Sequence, residues 1–136
     1  MSQYIPSKLK ELVLIRANFR CEYCRLNAHL SYFPFHIEHI ISIKHGGKTI
    51  IMNLAYACPL CNLNKGSDIA TFLDDPTVII RFFNPRTDSW QDHFHAENTG
   101  LIVAKTSIGA ATLKILKFNH VDSIIERSEM IRFGTF

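Results

Sequence analysis

The chain has 136 residues, 47% of them hydrophobic, with 15 Lys and Arg against 12 Asp and Glu and a formal charge of +3. This length and apolar fraction point to one domain over residues 1–136 with a modest core, and the slight basic excess permits nucleic-acid binding without requiring it. No stretch reaches the ~18–20 apolar residues of a membrane span, and MSQYIPSKLKELVLIR at the start lacks the apolar centre of an export signal, so a soluble cytoplasmic protein is expected.

Residues 7–19, SKLKELVLIRANF, read as a helix. Ser7 is placed to cap it, and Leu9, Leu12, Val13 and Phe19 recur at roughly helical spacing. Lys8, Lys10, Arg16 and Arg20 cover the rest, as a solvated face or a phosphate-contacting one. Residues 33–41, FPFHIEHII, read as a strand with Pro34 near its start, where an edge strand tolerates it. Residues 42–52 form a loop that turns at Gly46 and Gly47. A short helix is expected from the CPLC segment through Asn62, Leu63, Asn64 and Lys65, ending near Gly66.

Residues 66–76 are the one candidate linker, and no repeat interrupts the chain. Residues 77–83 form a β-rich run that stops at Asn84 and Pro85. Residues 93–96 and 101–105 alternate around 97–100 and read as a hairpin. Thr106 or Ser107 is placed to cap a helix to about Phe118, which Asn119 would end, and a last helix is expected over residues 121–132.

The cysteines fall as Cys21-x-x-Cys24 and Cys58-x-x-Cys61. A reducing compartment disfavours stable disulfides, and two C-x-x-C pairs without an export signal read as one tetrahedral, structural zinc site. Between the pairs, FHIEHI sets Glu38 beside His39 in an otherwise apolar run, where Phe35, Ile37 and Ile40 look like strand core. Zinc clamping the pairs together would gather Glu38, His39, Asn53, Asn62 and Lys65. Phosphodiester hydrolysis needs such a set. A near-neutral imidazole takes a proton from water, and oxygen donors such as Glu38 and Asn62 suit Mg²⁺ or Mn²⁺. Lys65 can steady developing charge, and Asn53 can pin the loop that aims the histidine. Neighbours on a regular strand face opposite ways, so the backbone must bend or end at Glu38 and His39 if both serve one site.

In order, CEYC, FHIEHI, KHGG, MNL and CPLCNLNKG, all within residues 21–66, resemble the HNH endonuclease family in its zinc-bearing form. The resemblance implies an α+β protein with a ββα-metal core over about 21–66. A C-terminal extension over about 67–136, a β-hairpin plus helices, would pack beside it. By position, His39 resembles the general base, Glu38 and Asn62 the ligands of a catalytic Mg²⁺ or Mn²⁺, and Asn53 the middle asparagine. Cys21, Cys24, Cys58 and Cys61 match the structural zinc ligands. The implied activity is hydrolysis of DNA, double-stranded by expectation, through nicking or double-strand cleavage. NPRTDSWQDHF and TSIGAATLKILKFN also look like the C-terminal part of a bacterial subgroup. The chain departs from the family pattern in three places: Glu38 stands where aspartate is usual, Ser42 where proline is frequent, and Asn62 where histidine is frequent. An alternative of another class therefore stays open, a zinc-stabilised nucleic-acid-binding module with little or no activity.

The remaining polar residues carry weaker expectations. His36 and His45 read as solvent-facing. His93 and His95 share a hairpin face without a third metal ligand in view. Trp90 with Phe94 reads as a packing anchor rather than a base-stacking pair. Lys44, Lys48, Arg81 and Arg86 are candidate phosphate contacts or ordinary surface charges.

Overall fold

The computed structural model describes residues 4–136; Met1 to Gln3, within the stretch read for an export signal, lie outside the described residues. Helix α1 (Ser7–Ala17) begins after Pro6 without a side-chain cap, so Ser7 is its first residue rather than its cap. Leu9, Val13 and Ala17, spaced by four, form the stripe that packs inward, whereas Leu12 and Phe19 are exposed, contrary to expectation. Asn18 in the left-handed conformation ends the helix.

Strand β1 (His36–His39) pairs antiparallel with β2 (Leu54–Ala57), His36 opposite Ala57 and His39 opposite Leu54. The strand is shorter than the run 33–41 because its partner is only 4 residues long. Phe33 and Pro34 therefore lie outside the ladder and are exposed. Helix α2 (Pro59–Lys65) follows at once, with proline in its first turn and Gly66 (φ 51) closing it. Together β1, β2 and α2 form a ββα unit.

The extension is less regular than its sequence suggests. The candidate linker contains strand β3 (Ala70–Thr71), which pairs with β4 (Ile80–Arg81), the only strand in the run 77–83. Phe82 and Phe83 just after it are buried in the core. A short helix not expected from sequence, α3 (Trp90–His93), precedes the hairpin of β5 (Phe94–Ala96) and β6 (Ile102–Ala104). Helix α4 (Ser107–Leu116) is capped by Thr106, whose hydroxyl accepts from Gly109 N–H at 3.0 Å. It stops at Lys117, in the left-handed conformation, before Asn119. Asn119 is engaged elsewhere: its carboxamide bonds both the N–H and the C=O of Ile102, each at 2.8 Å. Helix α5 (Val121–Arg132) has the expected bounds.

One core joins the two halves, running from the four cysteines and Tyr23 through Phe82, Phe83, Trp90 and Phe94 to Leu116 and Met130. A smaller cluster lies under α1. Among the described residues, no helix is long and apolar enough to cross a membrane.

Candidate metal centre and catalytic pocket

The two C-x-x-C turns meet at the end of the β1–β2 ladder. Their four sulfur atoms are buried and lie within 4.8 Å of one another. Cys24 Sγ and Cys58 Sγ are 3.6 Å apart. A tetrahedral zinc with sulfurs about 2.3 Å away sets its ligands about 3.8 Å apart, so the donor set fits that ion in number, softness and spacing. The Cys24 and Cys61 amides lie 3.4 Å from Cys21 Sγ and Cys58 Sγ, ready to donate to the sulfur at the start of each turn. Burial opposes ionisation of Cys21, yet hydrogen bonds from Cys24, Cys58 and Cys61 hold its pKa well below that of an ordinary thiol. Cys58 and Cys61 are pushed the other way, Cys58 first by its hydrogen bond with Cys21 and Cys61 first by burial. A divalent cation resolves that competition by taking all four as thiolates.

Beside this centre lies an open pocket of about 400 Å³ whose lining includes His36, Glu38, His39, Asn62 and Gly66. β1 supplies the acid and the histidine, and α2 supplies the asparagine. The strand ends at His39, and residues 40 and 41 bend away. Both polar residues stand within the regular ladder, Glu38 opposite Ala55 and His39 opposite Leu54, and the strand ends directly after His39.

Glu38 is 8% exposed and Lys65 2%. Tyr23 donates its hydroxyl to Glu38 Oε1 at 2.5 Å, and the Lys65 ammonium lies 3.4 Å from Oε2. Burial raises the Glu38 carboxyl to about 7, and Lys65 and then Tyr23 offset part of that rise. Lys65 also reaches the His39 carbonyl at 3.3 Å. It is not displayed to solvent as a phosphate contact; it joins the carboxylate to the end of the strand.

His39 is half-buried, and its Nε2 lies 2.8 Å from Thr49 Oγ1. Burial, and then the nearby Lys65 charge, holds its pKa below the usual histidine value. Asn53 stitches the intervening loop. Its Oδ1 accepts from Ile41 N–H, and its Nδ2 donates to the carbonyls of Ile41 and Lys48, each at 2.9 Å. Gly47 permits this close packing, since a Cβ there would sit 1.7 Å from the Ile41 oxygen and 2.9 Å from Asn53 Nδ2.

Sequence reasoning missed Tyr23 and Thr49. The signal for Tyr23 was an aromatic inside a cysteine turn. For Thr49 it was a hydroxyl in the loop after the glycines. His36 and His45 are exposed as expected. His93 ends α3 with Nδ1 2.6 Å from Thr106 Oγ1. Trp90 is buried with its ring 5.2 Å from that of Phe94, as a packing anchor requires.

The candidate phosphate contacts divide. Lys44 and Lys48 are exposed. Arg86 is buried against Glu22, and Arg81 is paired with Asp88 at 2.8 Å. On α1, Arg16 is tied to the carbonyls of Ile51 at 2.7 Å and Leu54 at 2.5 Å, and beyond it Arg20 bonds the Thr135 carbonyl. The open cations of that helix are Lys8 and Lys10.

Residues 21–68 match the family model of the HNH endonucleases. The match begins at the first cysteine, spans the β1–β2–α2 unit, and ends just after Gly66. No curated protein matches the chain.

Proposed function

We propose, from this HNH endonuclease domain and the pocket at its centre, that the protein hydrolyses DNA phosphodiester bonds with His39 as general base. The observation that carries the reading is the convergence of Glu38, His39 and Asn62 on one open pocket. In the tautomer that donates Nε2–H to Thr49, 2.8 Å away, the imidazole lone pair is on Nδ1 and available to take a proton from the attacking water. A depressed pKa keeps that lone pair free at neutral pH. Asn53 fixes the loop from Ile41 to Lys48, and with it the partner that orients His39.

Glu38 Oε and the Asn62 carboxamide oxygen are the hard donors of this pocket, and they suit Mg²⁺ or Mn²⁺ rather than a soft ion. Such an ion, when bound, offsets charge on the phosphate and on the departing oxygen. Lys65 already neutralises much of the Glu38 charge. Glu38 and Asn62 would therefore hold such an ion only weakly before substrate arrives. The four-cysteine centre is assigned to structural Zn²⁺, a role apart from the reaction.

The test is nicking of supercoiled plasmid in Mg²⁺ or Mn²⁺. His39→Ala is expected to slow it by about 10²–10⁴-fold. Equal nicking by wild type and variant overturns the assignment of His39. One observation favours a second reading: Tyr23 and Lys65 already occupy the Glu38 carboxylate. If wild type binds DNA and leaves it intact with either ion, the domain is a zinc-stabilised binding module.

A further inference from the structure

A groove of about 870 Å³ runs alongside β1, between α1 and the segment that leads into the strand. Its floor is aromatic, with the rings of Phe35 and Tyr56 5.3 Å apart. Its rim is also aromatic and unusually open: Tyr4 is 76% exposed, Phe33 70% and Tyr32 100%. Leaving three large rings in water around one groove is costly unless something covers them. Among the described residues, no Asp or Glu lines the groove, whereas Lys10 and His36 do. The groove is also continuous with the pocket of Glu38, His39 and Asn62, since Ile5, His36 and Ile37 line both.

We propose that this groove binds a single-stranded DNA segment next to the scissile phosphate, with unpaired bases stacked on Tyr32, Phe33 and Tyr4. The inference rests on the nuclease reading of the adjoining pocket and narrows its substrate to DNA with an unpaired stretch, such as a flap, a tail or a melted site. A stacked duplex hides its base faces, so rim aromatics gain nothing from it. An unpaired base offers a face to any ring, whatever its sequence. The cation at Lys10 and the lack of carboxylates suit the backbone that must accompany those bases. The shared wall at His36 and Ile37 then leads the strand from the stacking surface to the catalytic pocket.

The experiment measures binding of the full, zinc-loaded chain without added Mg²⁺ or Mn²⁺, by fluorescence anisotropy. Its probes are a labelled oligothymidylate, a blunt duplex, and the same duplex with a single-stranded tail. Wild type is expected to bind the oligothymidylate and the tailed duplex about tenfold or more tighter than the blunt one. The double substitution Tyr32→Ala and Phe33→Ala, at exposed positions outside the core, is expected to abolish that preference. Leu63→Ala, equally exposed on α2, is expected to keep it. Blunt duplex bound as tightly as single strand, no binding of any probe, or an undiminished preference in the double variant each overturn the proposal. His39→Ala is expected to bind like wild type. The plasmid assay can therefore sink the nuclease reading while this binding result stands, and the reverse also holds.

Discussion

At the scale of the residue, the adjacent pair Glu38 and His39 was legible because ionisable groups on an apolar strand need a reason. Which cations are free was not legible. Arg86 was a candidate phosphate contact, yet it is buried against Glu22, a residue of the first cysteine turn. Arg81 is held by Asp88, which accepts its guanidinium through both carboxylate oxygens, at 2.8 and 3.0 Å, and also accepts Asn84 N–H at 2.8 Å. The hydrogen bonds from Arg81, followed by the Asn84 amide, keep the Asp88 carboxyl below its usual range against a modest burial cost. The folded protein thus binds that proton less readily than the unfolded chain. The stabilisation is present above the unfolded carboxyl pKa and is lost as the pH falls through the lower folded value, at pH values below about 4. Arg81 is more than half exposed, so water screens the pair. Asp88→Asn is expected to cost about 1 kcal/mol at pH 7, with the gap to wild type closing below about pH 4. Urea melts across that range check it, and a gap that stays constant into acid refutes it.

At the scale of the element, long periodic segments were readable and short strands were not. Helix α5 has the bounds its pattern predicts, and the hairpin of β5 and β6 falls where alternation placed it. Two-residue strands such as β3 and β4 exist only because they pair with each other, and no local pattern announces them. α4 likewise ends at Lys117 rather than at Asn119, whose side chain is spent on the edge of β6. In the loop between β1 and β2 the two glycines signalled a turn, and they differ in kind. Gly46 has φ +89, and a Cβ added there would meet nothing within 4 Å, so its need is conformational. Gly47 needs space, because any Cβ collides with the Ile41 carbonyl and crowds Asn53. Gly47→Ala must therefore open the loop, release the Asn53 bonds and displace Thr49 from His39. Cleavage is expected to fall at least tenfold with a stability loss of about 1–3 kcal/mol, while zinc stays bound. Gly46→Asn, which tolerates the left-handed region, is expected to keep most activity. Plasmid nicking with zinc quantified in parallel separates the two variants. Wild-type cleavage by Gly47→Ala would show that the loop does not position the site.

At the scale of the whole molecule, the extension closes on the first cysteine turn one residue after another. Arg86 pairs with Glu22, Trp90 Nε1 donates to the Tyr23 carbonyl at 2.7 Å, and Arg127 Nη1 lies 3.4 Å from the Cys24 carbonyl. The last two links join residues 67 and 103 positions apart, a range at which periodicity carries no information. Arg127 is 0% exposed and faces no carboxylate among its hydrogen-bond partners, which include the Gly100 and Phe118 carbonyls. Four thiolates around one divalent cation carry two surplus negative charges, and Arg127 is placed to offset one of them. Burial works against its charge, and the four cysteines work for it. Arg25, stacked over Trp90 at 5.1 Å, adds a second cation at the same turn. The metal centre and the extension should therefore stand or fall together, as one folding unit. Zinc withdrawal by a strong chelator is expected to collapse the near-ultraviolet signal of Trp90 and the helical signal in one transition. Arg127→Met, similar in length but uncharged, is expected to weaken zinc about 10–100-fold and to lower stability by about 3 kcal/mol or more. Competition against a zinc-binding dye reads the first effect and thermal melting the second. A variant that melts lower yet keeps wild-type zinc affinity would reduce Arg127 to a packing role. Helices that survive chelation intact would make the extension a separate unit that merely leans on the cysteine centre.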